Sequence, residues 1–186
     1  MTRFGVTRSG NESVAGEGVL FLREQQVRLA QELMVLAGLD LAQTLAPLLE
    51  ECGLGGAQYR ALQMLAFRPG LTVGALQTVL GVTKQSLART LAELQERGLV
   101  IAEQGSQDRR QRFLSLTDAG REIEGRLFSV QREWMVVAYR NAGSDAVQGF
   151  RKVLEGMLSE RSRDFLARGE RKTKEITGKG GRVDGG

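Results

Sequence analysis

The stretch from Thr72 to Thr117 constrains the fold most, because it holds two short amphipathic helical patterns separated by only the three residues Gly81-Val82-Thr83. Thr72 precedes the first pattern and Thr83 precedes the second, and a threonine hydroxyl at this position can cap the free N–H groups of a helix's first turn. A connection this short leaves the two helices packed against each other. The stretch therefore predicts a helix-turn-helix.

The second helix of this unit has an apolar and a polar face. Leu87, Leu91 and Leu94 recur at intervals of four and three residues, so they share one side, which we expect to face the first helix. Each residue advances about 100° around a helix. The residues predicted to lie outward or on the flanks are Thr83, Lys84, Gln85, Ser86, Arg89 and Thr90.

These outward residue types are the ones that read DNA bases or hold phosphates. Arginine pairs with guanine through two hydrogen bonds, glutamine pairs with adenine in the same way, and serine contacts either. A helix in the major groove uses its N-terminal residues, so Glu93 and Glu96 in its second half need not meet phosphate. The pattern therefore predicts a recognition helix for double-stranded DNA. An ordinary solvated helix face is the alternative.

A β-hairpin with a basic tip is predicted directly after this helix. The run 99–102 is β-prone, and the run 113–116 alternates leucine with other residues as a half-buried strand does. Between and beside these runs lie Asp108, Arg109, Arg110 and Arg112. Three guanidinium groups suit a wing on the phosphate backbone or in a narrow minor groove, with Asp108 orienting an arginine. A basic loop that only keeps the chain soluble is the alternative.

Several segments of the chain resemble the MarR family of bacterial transcription regulators in their order and spacing. They are Leu71-Thr72-Val73, the run 81–87, Leu94 followed by Gly98-Leu99-Val100, then Asp108-Arg109-Arg110 and the run 114–120. The resemblance implies a homodimer on a near-palindromic DNA site. It places Gln85, Ser86 and Arg89 on recognition-helix positions, and Asp108 and Arg110 on the Asp-x-Arg of the wing.

The resemblance further implies a pocket for a small-molecule effector between the dimerisation helices and the DNA-binding unit. Candidate lining residues, each of which also fits an ordinary core position, are Met34, Tyr59, Phe67, Phe113 and Trp134.

The remaining chain predicts further helices, so the expected fold is mainly α with a small β-hairpin wing, a winged helix-turn-helix embedded between dimerisation helices. A leucine stripe runs from about Val19 to Glu51, where Pro47 predicts a kink or break. A second helix is predicted at 57–67. After the wing, Thr117 should cap a helix that ends near Gly143, and Ser144 or Asp145 should cap the last one.

These helices carry more apolar length than the winged unit can cover, which predicts an isologous dimer interface. Plain intrachain core is the alternative. We divide the chain into a flexible N-terminal tail (1–18), an N-terminal dimerisation helix (19–53), the winged DNA-binding unit (54–117), C-terminal dimerisation helices (118–166) and a flexible basic tail (167–186).

The net charge of +4 is a weak guide, because residues 167–186, with six Lys/Arg and three Asp/Glu, contribute +3 of it. The DNA prediction therefore depends on where charge is clustered. The chain has no histidine and one cysteine, Cys52, so an internal disulfide and a His/Cys zinc cluster are excluded. We expect Cys52 to be a small apolar residue near a helix end, with a redox-sensing thiol as the alternative.

No enzyme, metal or cofactor is predicted, because a Ser or Cys nucleophile would lack histidine as its base and no phosphate-binding loop is present. We find no uninterrupted apolar run of roughly 18 residues and no secretory signal, which predicts a cytoplasmic protein without a membrane partner. The rival function is an architectural or interaction protein that uses a winged helix without specific promoter control.

Overall fold

The computed structural model describes residues 12–104 and 111–167, with side chains described from Arg23 onward. The chain divides into two compact units that meet between Thr44 and Leu45. In chain order the elements are α1 (Glu12–Glu51), α2 (Gly56–Phe67), β1 (Leu71–Thr72), α3 (Val73–Leu80), α4 (Lys84–Glu96), β2 (Val100–Gln104), β3 (Arg112–Leu116), α5 (Asp118–Ala142) and α6 (Ser144–Met157). Residues 160–167 are also helical.

Helix α1 is longer and less interrupted than predicted. It begins at Glu12, so residues 12–18, which were predicted as a flexible tail, are helical. The helix continues through Pro47 to Glu51, so the predicted break is absent. Proline removes one backbone N–H donor, and here that loss does not end the helix, whose backbone continues to Glu51. The rest of the predicted tails, 1–11 and 168–186, lies outside the described residues.

The first unit consists of the part of α1 before Leu45, and its apolar side chains are exposed. The following side chains have about half or more of their surface exposed: Val27, Leu29, Leu33, Met34, Val35, Leu36 and Leu39. Arg23–Glu51 also passes a length and composition test for a membrane-spanning helix, with a mean hydropathy of 1.4 over its best 18-residue window. Single polar residues interrupt this stretch, so it contains no uninterrupted apolar run of that length. A helix that packs in a soluble core passes the same test, so the result is weak support for a membrane span.

The core of the second unit is built almost entirely from leucine. The largest fully buried side chains are Leu62, Leu65, Leu76, Leu87, Leu94, Leu114, Leu127 and Val100. They come from α2, α3, α4, α5 and both wing strands, so the winged unit and the start of α5 share one core. The predicted buried sides of α4 and of the second wing strand are therefore confirmed.

The wing is part of a three-stranded antiparallel sheet with the order β1-β3-β2. Val100 pairs with Leu116 and Gln104 with Arg112, as expected for a hairpin. The third strand, β1, was not predicted: Leu71 pairs with Leu114, next to a hydrogen bond from the Gly70 N–H to the Leu114 carbonyl of 3.0 Å. Two residues are too few for a period-2 pattern to appear in the sequence.

The start of α5 is fixed against the start of β2. The Thr117 hydroxyl caps α5 by accepting the Gly120 N–H at 3.0 Å, and it donates to the Gly98 carbonyl at 2.7 Å. The Thr117 N–H donates to the Leu99 carbonyl at 3.1 Å. The predicted cap at Thr117 is confirmed, and it attaches the long helix to the wing.

Helices α5 and α6 leave a second set of apolar side chains exposed. The most exposed are Phe128, Val137, Phe150, Val153, Leu154 and Met157. The predicted side-chain cap of α6 by Ser144 or Asp145 is wrong: its N-cap is Gly143, with φ 80° and no side-chain cap hydrogen bond. The α5–α6 connection is so short that this single residue both ends one helix and starts the next.

Candidate nucleic-acid interface

The helix-turn-helix forms as predicted from its local signals. The Thr72 hydroxyl accepts the Ala75 N–H at 3.1 Å at the start of α3, and the Thr83 hydroxyl accepts the Ser86 N–H at 3.2 Å at the start of α4. Gly81 ends α3 in the left-handed conformation, with φ 65°, which a residue with a side chain rarely adopts. These contacts fix the angle at which α4 leaves α3.

The first turns of α4 present an exposed polar surface. Leu87, Leu91 and Leu94 point into the core with 2%, 6% and 0% of their surface exposed. Of the side chains predicted to meet DNA from this helix and its cap, the exposed ones are Thr83, Lys84, Gln85, Ser86 and Arg89. Two cations and three side chains with both donors and acceptors thus lie together on the N-cap and the N-terminal half of the helix, the half that enters a major groove.

Thr90 does not belong to this surface. Its side chain is only 8% exposed, and its hydroxyl donates to the Ser86 carbonyl at 3.1 Å. The residue lies one position before Leu91 and four before Leu94, so the helical period carries it toward the buried stripe. The prediction that Thr90 is available to DNA is therefore corrected: it packs and bonds within the helix.

Arg89 is held by a contact that the sequence reading did not identify. Its Nε donates to Oε1 of Glu93 at 2.9 Å, one turn along the helix. Oε2 of Glu93 accepts the side-chain amide of Gln58, on α2, at 2.6 Å. The i,i+4 spacing of Arg89 and Glu93 was a visible signal. Gln58 and Glu93 are 35 positions apart in the sequence, so no local sequence pattern predicts their contact.

The wing strands are described up to Gln104 on one side and from Gln111 on the other. Arg112 is exposed at the tip end of the described wing strands and pairs in register with Gln104. The predicted tip contacts Asp108, Arg109 and Arg110 lie outside the described residues, so their roles stay predictions. A groove of about 640 Å³ is lined by residues of α3, α4 and the wing strands, among them Val73, Ala88 and Ala102.

A polar cluster lies between α2 and α5, away from the recognition helix. The side-chain amide of Gln63 donates to the Tyr59 hydroxyl at 2.7 Å and to Oε1 of Gln131 at 3.2 Å, and the Tyr59 hydroxyl donates to the same oxygen at 3.2 Å. Burial raises the pKa of Tyr59, and the nearby charge of Glu124 raises it further. Burial also raises the pKa of Glu124.

The predicted effector-lining residues have mixed environments. Tyr59, Phe113 and Trp134 are half-buried, whereas Phe67 in the second unit and Met34 in the first are about half exposed. Only Tyr59 among them takes part in the polar cluster. The lining of an effector pocket therefore stays a prediction.

Cys52 is half-buried at the end of α1, as expected for a small residue near a helix end. Arg97, at the end of α4, donates to the carbonyls of Cys52 and Gly53, the latter at 2.8 Å. This guanidinium satisfies two carbonyl groups of the turn that follows α1. Arg97 thus ties α1 to α4, a structural role that the sequence alone did not suggest.

The fold and the exposed first turns of α4 define a winged helix-turn-helix DNA-binding protein. A family model described as the MarR family matches residues 53–111. The transcriptional regulator PetP of Rhodobacter capsulatus is 44% identical over 143 residues, which cover 77% of this chain and 86% of PetP. The chain belongs to the MarR family of transcription regulators.

Solved structures agree with this assignment. A MarR-family regulator from Silicibacter pomeroyi is 31% identical, with a TM-score of 0.61 over 69% of this chain and 87% of that one. A MarR variant from E. coli complexed with operator DNA is 21% identical, with a TM-score of 0.56 over 72% and 96%. NadR, complexed with 4-hydroxyphenylacetate, is 19% identical, with a TM-score of 0.58 over 83% and 97%. The last two show likeness of fold.

Proposed function

We propose that this regulator acts as a homodimer that binds a near-palindromic promoter site in double-stranded DNA and so controls occupancy of the promoter. The observation that carries the proposal is the exposed surface of Lys84, Gln85, Ser86 and Arg89 on the first turns of α4. In a two-fold dimer each copy would place this surface in one of two successive major grooves, about 34–36 Å apart. The operator-bound structure of the E. coli MarR variant supports this mode of binding.

Within the interface we assign discrimination between bases to α4 and general affinity to the wing. Gln85, Ser86 and Arg89 have the donors and acceptors that read base edges, whereas Arg109, Arg110 and Arg112 of the wing suit phosphate or the minor groove. Arg89→Ala should cost about 1–3 kcal/mol at the cognate site and relax its sequence preference. Arg110→Ala should weaken binding evenly across sequences and reduce the salt dependence. Unchanged affinity in either variant would remove the role assigned to it.

The exposed apolar side chains support the homodimer. The first unit exposes a leucine-rich stripe on α1, and the second exposes Phe128, Val137, Phe150 and Met157 on α5 and α6. Apolar patches of this extent on a soluble protein usually mark an interface. A second copy would bury the same residues on both partners. One chain has a mass of 20.4 kDa. Light scattering on the purified protein, without detergent, should give twice that mass. A monomer would contradict the dimer.

We assign the α1 stripe to dimerisation rather than to a lipid bilayer, and the protein to the cytoplasm, where its DNA is. Arg28, Glu24, Glu32 and Asp40 lie on the same helix, and charged residues are costly within a bilayer. A requirement for detergent to keep the full chain in solution would contradict this assignment.

We further propose that a small-molecule effector changes the spacing of the two recognition helices. NadR complexed with 4-hydroxyphenylacetate supports an effector for this chain. The half-buried cluster of Tyr59, Gln63 and Gln131 joins α2 to α5, so a ligand that bound there would act on both. The shift in DNA affinity cannot exceed the ligand's differential affinity for the two spacings. Tyr59→Phe should alter the ligand response and leave affinity for DNA without ligand unchanged.

The experiment for the central proposal is fluorescence anisotropy on genomic fragments that the protein enriches from its own genome, each compared with a shuffled duplex across a salt series. A specific regulator should bind the native duplex roughly a thousandfold tighter at physiological salt. If all duplexes bind alike, with affinity falling steeply as salt rises, the architectural alternative is correct.

A further inference from the structure

Gln58 lies on α2, outside the helix-turn-helix, yet its side chain has a fixed orientation. Its Oε1 accepts the Gly55 N–H at 2.7 Å. A backbone N–H can only donate, so the amide oxygen must face Gly55 and the amide nitrogen must face the other way. That nitrogen donates to Oε2 of Glu93 at 2.6 Å. The orientation of Gln58 is therefore set by the backbone at the start of α2.

Glu93 is in turn fixed between two donors. Gln58 holds Oε2, and the Nε of Arg89 donates to Oε1 at 2.9 Å. An exposed i,i+4 ion pair by itself orients its partners weakly, because both side chains remain free to move. The Glu93 side chain, however, is 37% exposed, against 60% for Glu24 and 51% for Glu155 in comparable pairs. The anchored, less exposed Glu93 can therefore orient Arg89.

The contact with Glu93 determines which part of the Arg89 guanidinium is available. A guanidinium carries one N–H on Nε and two on each Nη. With Nε directed at Glu93, the outer edge formed by Nη1 and Nη2 points away, and the side chain is 84% exposed. Two parallel N–H groups on one edge are what bidentate pairing with guanine O6 and N7 requires. Holding this edge before DNA arrives reduces the ordering that binding must impose.

We propose that Gln58 is a positioning residue for base recognition: through Glu93 it fixes the direction in which Arg89 presents its guanidinium to DNA. The inference rests on the proposed function, and in particular on base reading by Arg89. It makes the sequence preference of α4 depend on the start of α2.

The decisive variant is Gln58→Glu. It keeps the oxygen that accepts the Gly55 N–H, since glutamate serves as well as glutamine in this capping position. It replaces the donor toward Glu93 with a carboxylate oxygen, so the two acids repel and Glu93 is released. The base pair that Arg89 reads is defined as the one whose replacement weakens DNA binding by wild type but not by Arg89→Ala. The readout is the ratio of two affinities: that for the operator, divided by that for the same duplex with this base pair replaced.

We expect Gln58→Glu to lower this ratio about tenfold in an otherwise wild-type chain. In the Arg89→Ala background it should have no further effect on the ratio, because no guanidinium remains to be positioned. An added negative charge weakens binding to both duplexes equally, so charge alone leaves the ratio unchanged. An equal fall in affinity for both duplexes would overturn the inference. The same fall in the ratio in the Arg89→Ala background would also overturn it.

Gly55→Ala provides a second route to the same effect. A methyl group at this position would lie 2.8 Å from Oε1 of Gln58, and this atom is at the end of a flexible side chain that can move away. The backbone φ of Gly55 is −87°, which alanine also adopts, so the fold should persist. We expect the ratio to fall as it does in Gln58→Glu. An unchanged ratio, with thermal unfolding also unchanged, would count against the inference.

Glu93 and Glu96 form a matched pair for the acid itself. Removing either carboxylate from α4 should raise affinity for shuffled DNA by a similar factor, because each removal reduces the electrostatic repulsion between α4 and the DNA phosphates. Glu93→Ala should also lower the ratio, whereas Glu96→Ala should not. A purely structural role of Glu93 would instead weaken binding to every duplex.

The outcomes separate this inference from the proposed function. A wild-type protein without preference between operator and shuffled DNA would overturn both. A selective wild type whose ratio is unaffected by Gln58→Glu would overturn only the role of Gln58. In the free protein, hydrogen exchange at the Arg89 Nε–H, measured by NMR, should be slower in wild type than in Gln58→Glu. Equal rates would contradict the positioning role without reference to DNA.

Discussion

Replacing Gly120 with alanine should destabilise the protein more than its small size suggests. A methyl group at this position would lie 2.1 Å from the Leu99 carbonyl oxygen and 3.1 Å from its carbon. These are backbone atoms, and the Thr117 N–H holds the same carbonyl at 3.1 Å. No side-chain rotation can relieve the collision, so the start of α5 must move away from Leu99. Overpacking costs typically about 1–3 kcal/mol, and a backbone collision belongs at the upper end of that range, about 3 kcal/mol.

Gly125→Ala is the matched control on the same helix. A methyl group there meets nothing within 4 Å. Alanine is favoured over glycine in a helix interior by about 0.8–1.0 kcal/mol. We therefore expect Gly125→Ala to stabilise the protein by about 0.5–1 kcal/mol, which separates the two variants by about 3.5–4 kcal/mol.

The assay is urea-induced unfolding followed by circular dichroism, with all proteins at one concentration because dimerisation would make the apparent stability depend on it. In thermal unfolding, a change of about 1 kcal/mol in the free energy of unfolding shifts Tm by about 2–4 °C for a chain of this size. Gly120→Ala should therefore melt about 6–12 °C below wild type. A Gly120→Ala variant within about 0.5 kcal/mol of wild type would refute the close packing of α5 on the Leu99 backbone. If Gly120→Ala and Gly125→Ala changed the free energy of unfolding in the same direction, this packing would be refuted equally.

Two further variants test local features of the fold. Thr83→Ala should lower the free energy of unfolding in urea by about 1 kcal/mol, because it removes the acceptor of the Ser86 N–H. Thr83→Ser should keep the wild-type stability, and equal stability of wild type and both variants would contradict the cap. Burial raises the pKa of Glu124, so the stability linked to its neutral form is fully present below the unfolded pKa and is lost as pH rises through the folded pKa. Glu124→Gln should therefore melt above wild type at neutral pH and converge with it on acidification below the unfolded pKa, and a constant difference across pH would contradict this.

The features that the sequence predicts well are those set by neighbours along the chain. Thr72, Thr83 and Thr117 were predicted as caps, and each hydroxyl accepts the expected backbone N–H. The buried stripe of α4 follows from helical spacing alone. These signals need no knowledge of what packs against the helix, which explains their success.

The features that the sequence did not predict depend on tertiary contacts. The hydrogen bond of Gln58 with Glu93 and the approach of Gly120 to Leu99 join segments that are far apart in sequence. Strand β1 exists only because Leu114 lies beside it. Thr90 was placed on the wrong side because it lies at the border of the buried stripe, where the exact helical angle decides burial. The roles of Asp108, Arg109 and Arg110 stay predictions from the sequence.

The most direct test of dimeric, sequence-specific binding is selection of duplexes from a random pool by the full-length protein. We predict an enriched motif with two-fold symmetry and half-sites centred about 10 to 10.5 base pairs apart, or a multiple of that distance. The selected duplexes should bind roughly a thousandfold tighter than the starting pool at physiological salt. A pool that gains no motif, and no affinity over the starting duplexes, would contradict the account.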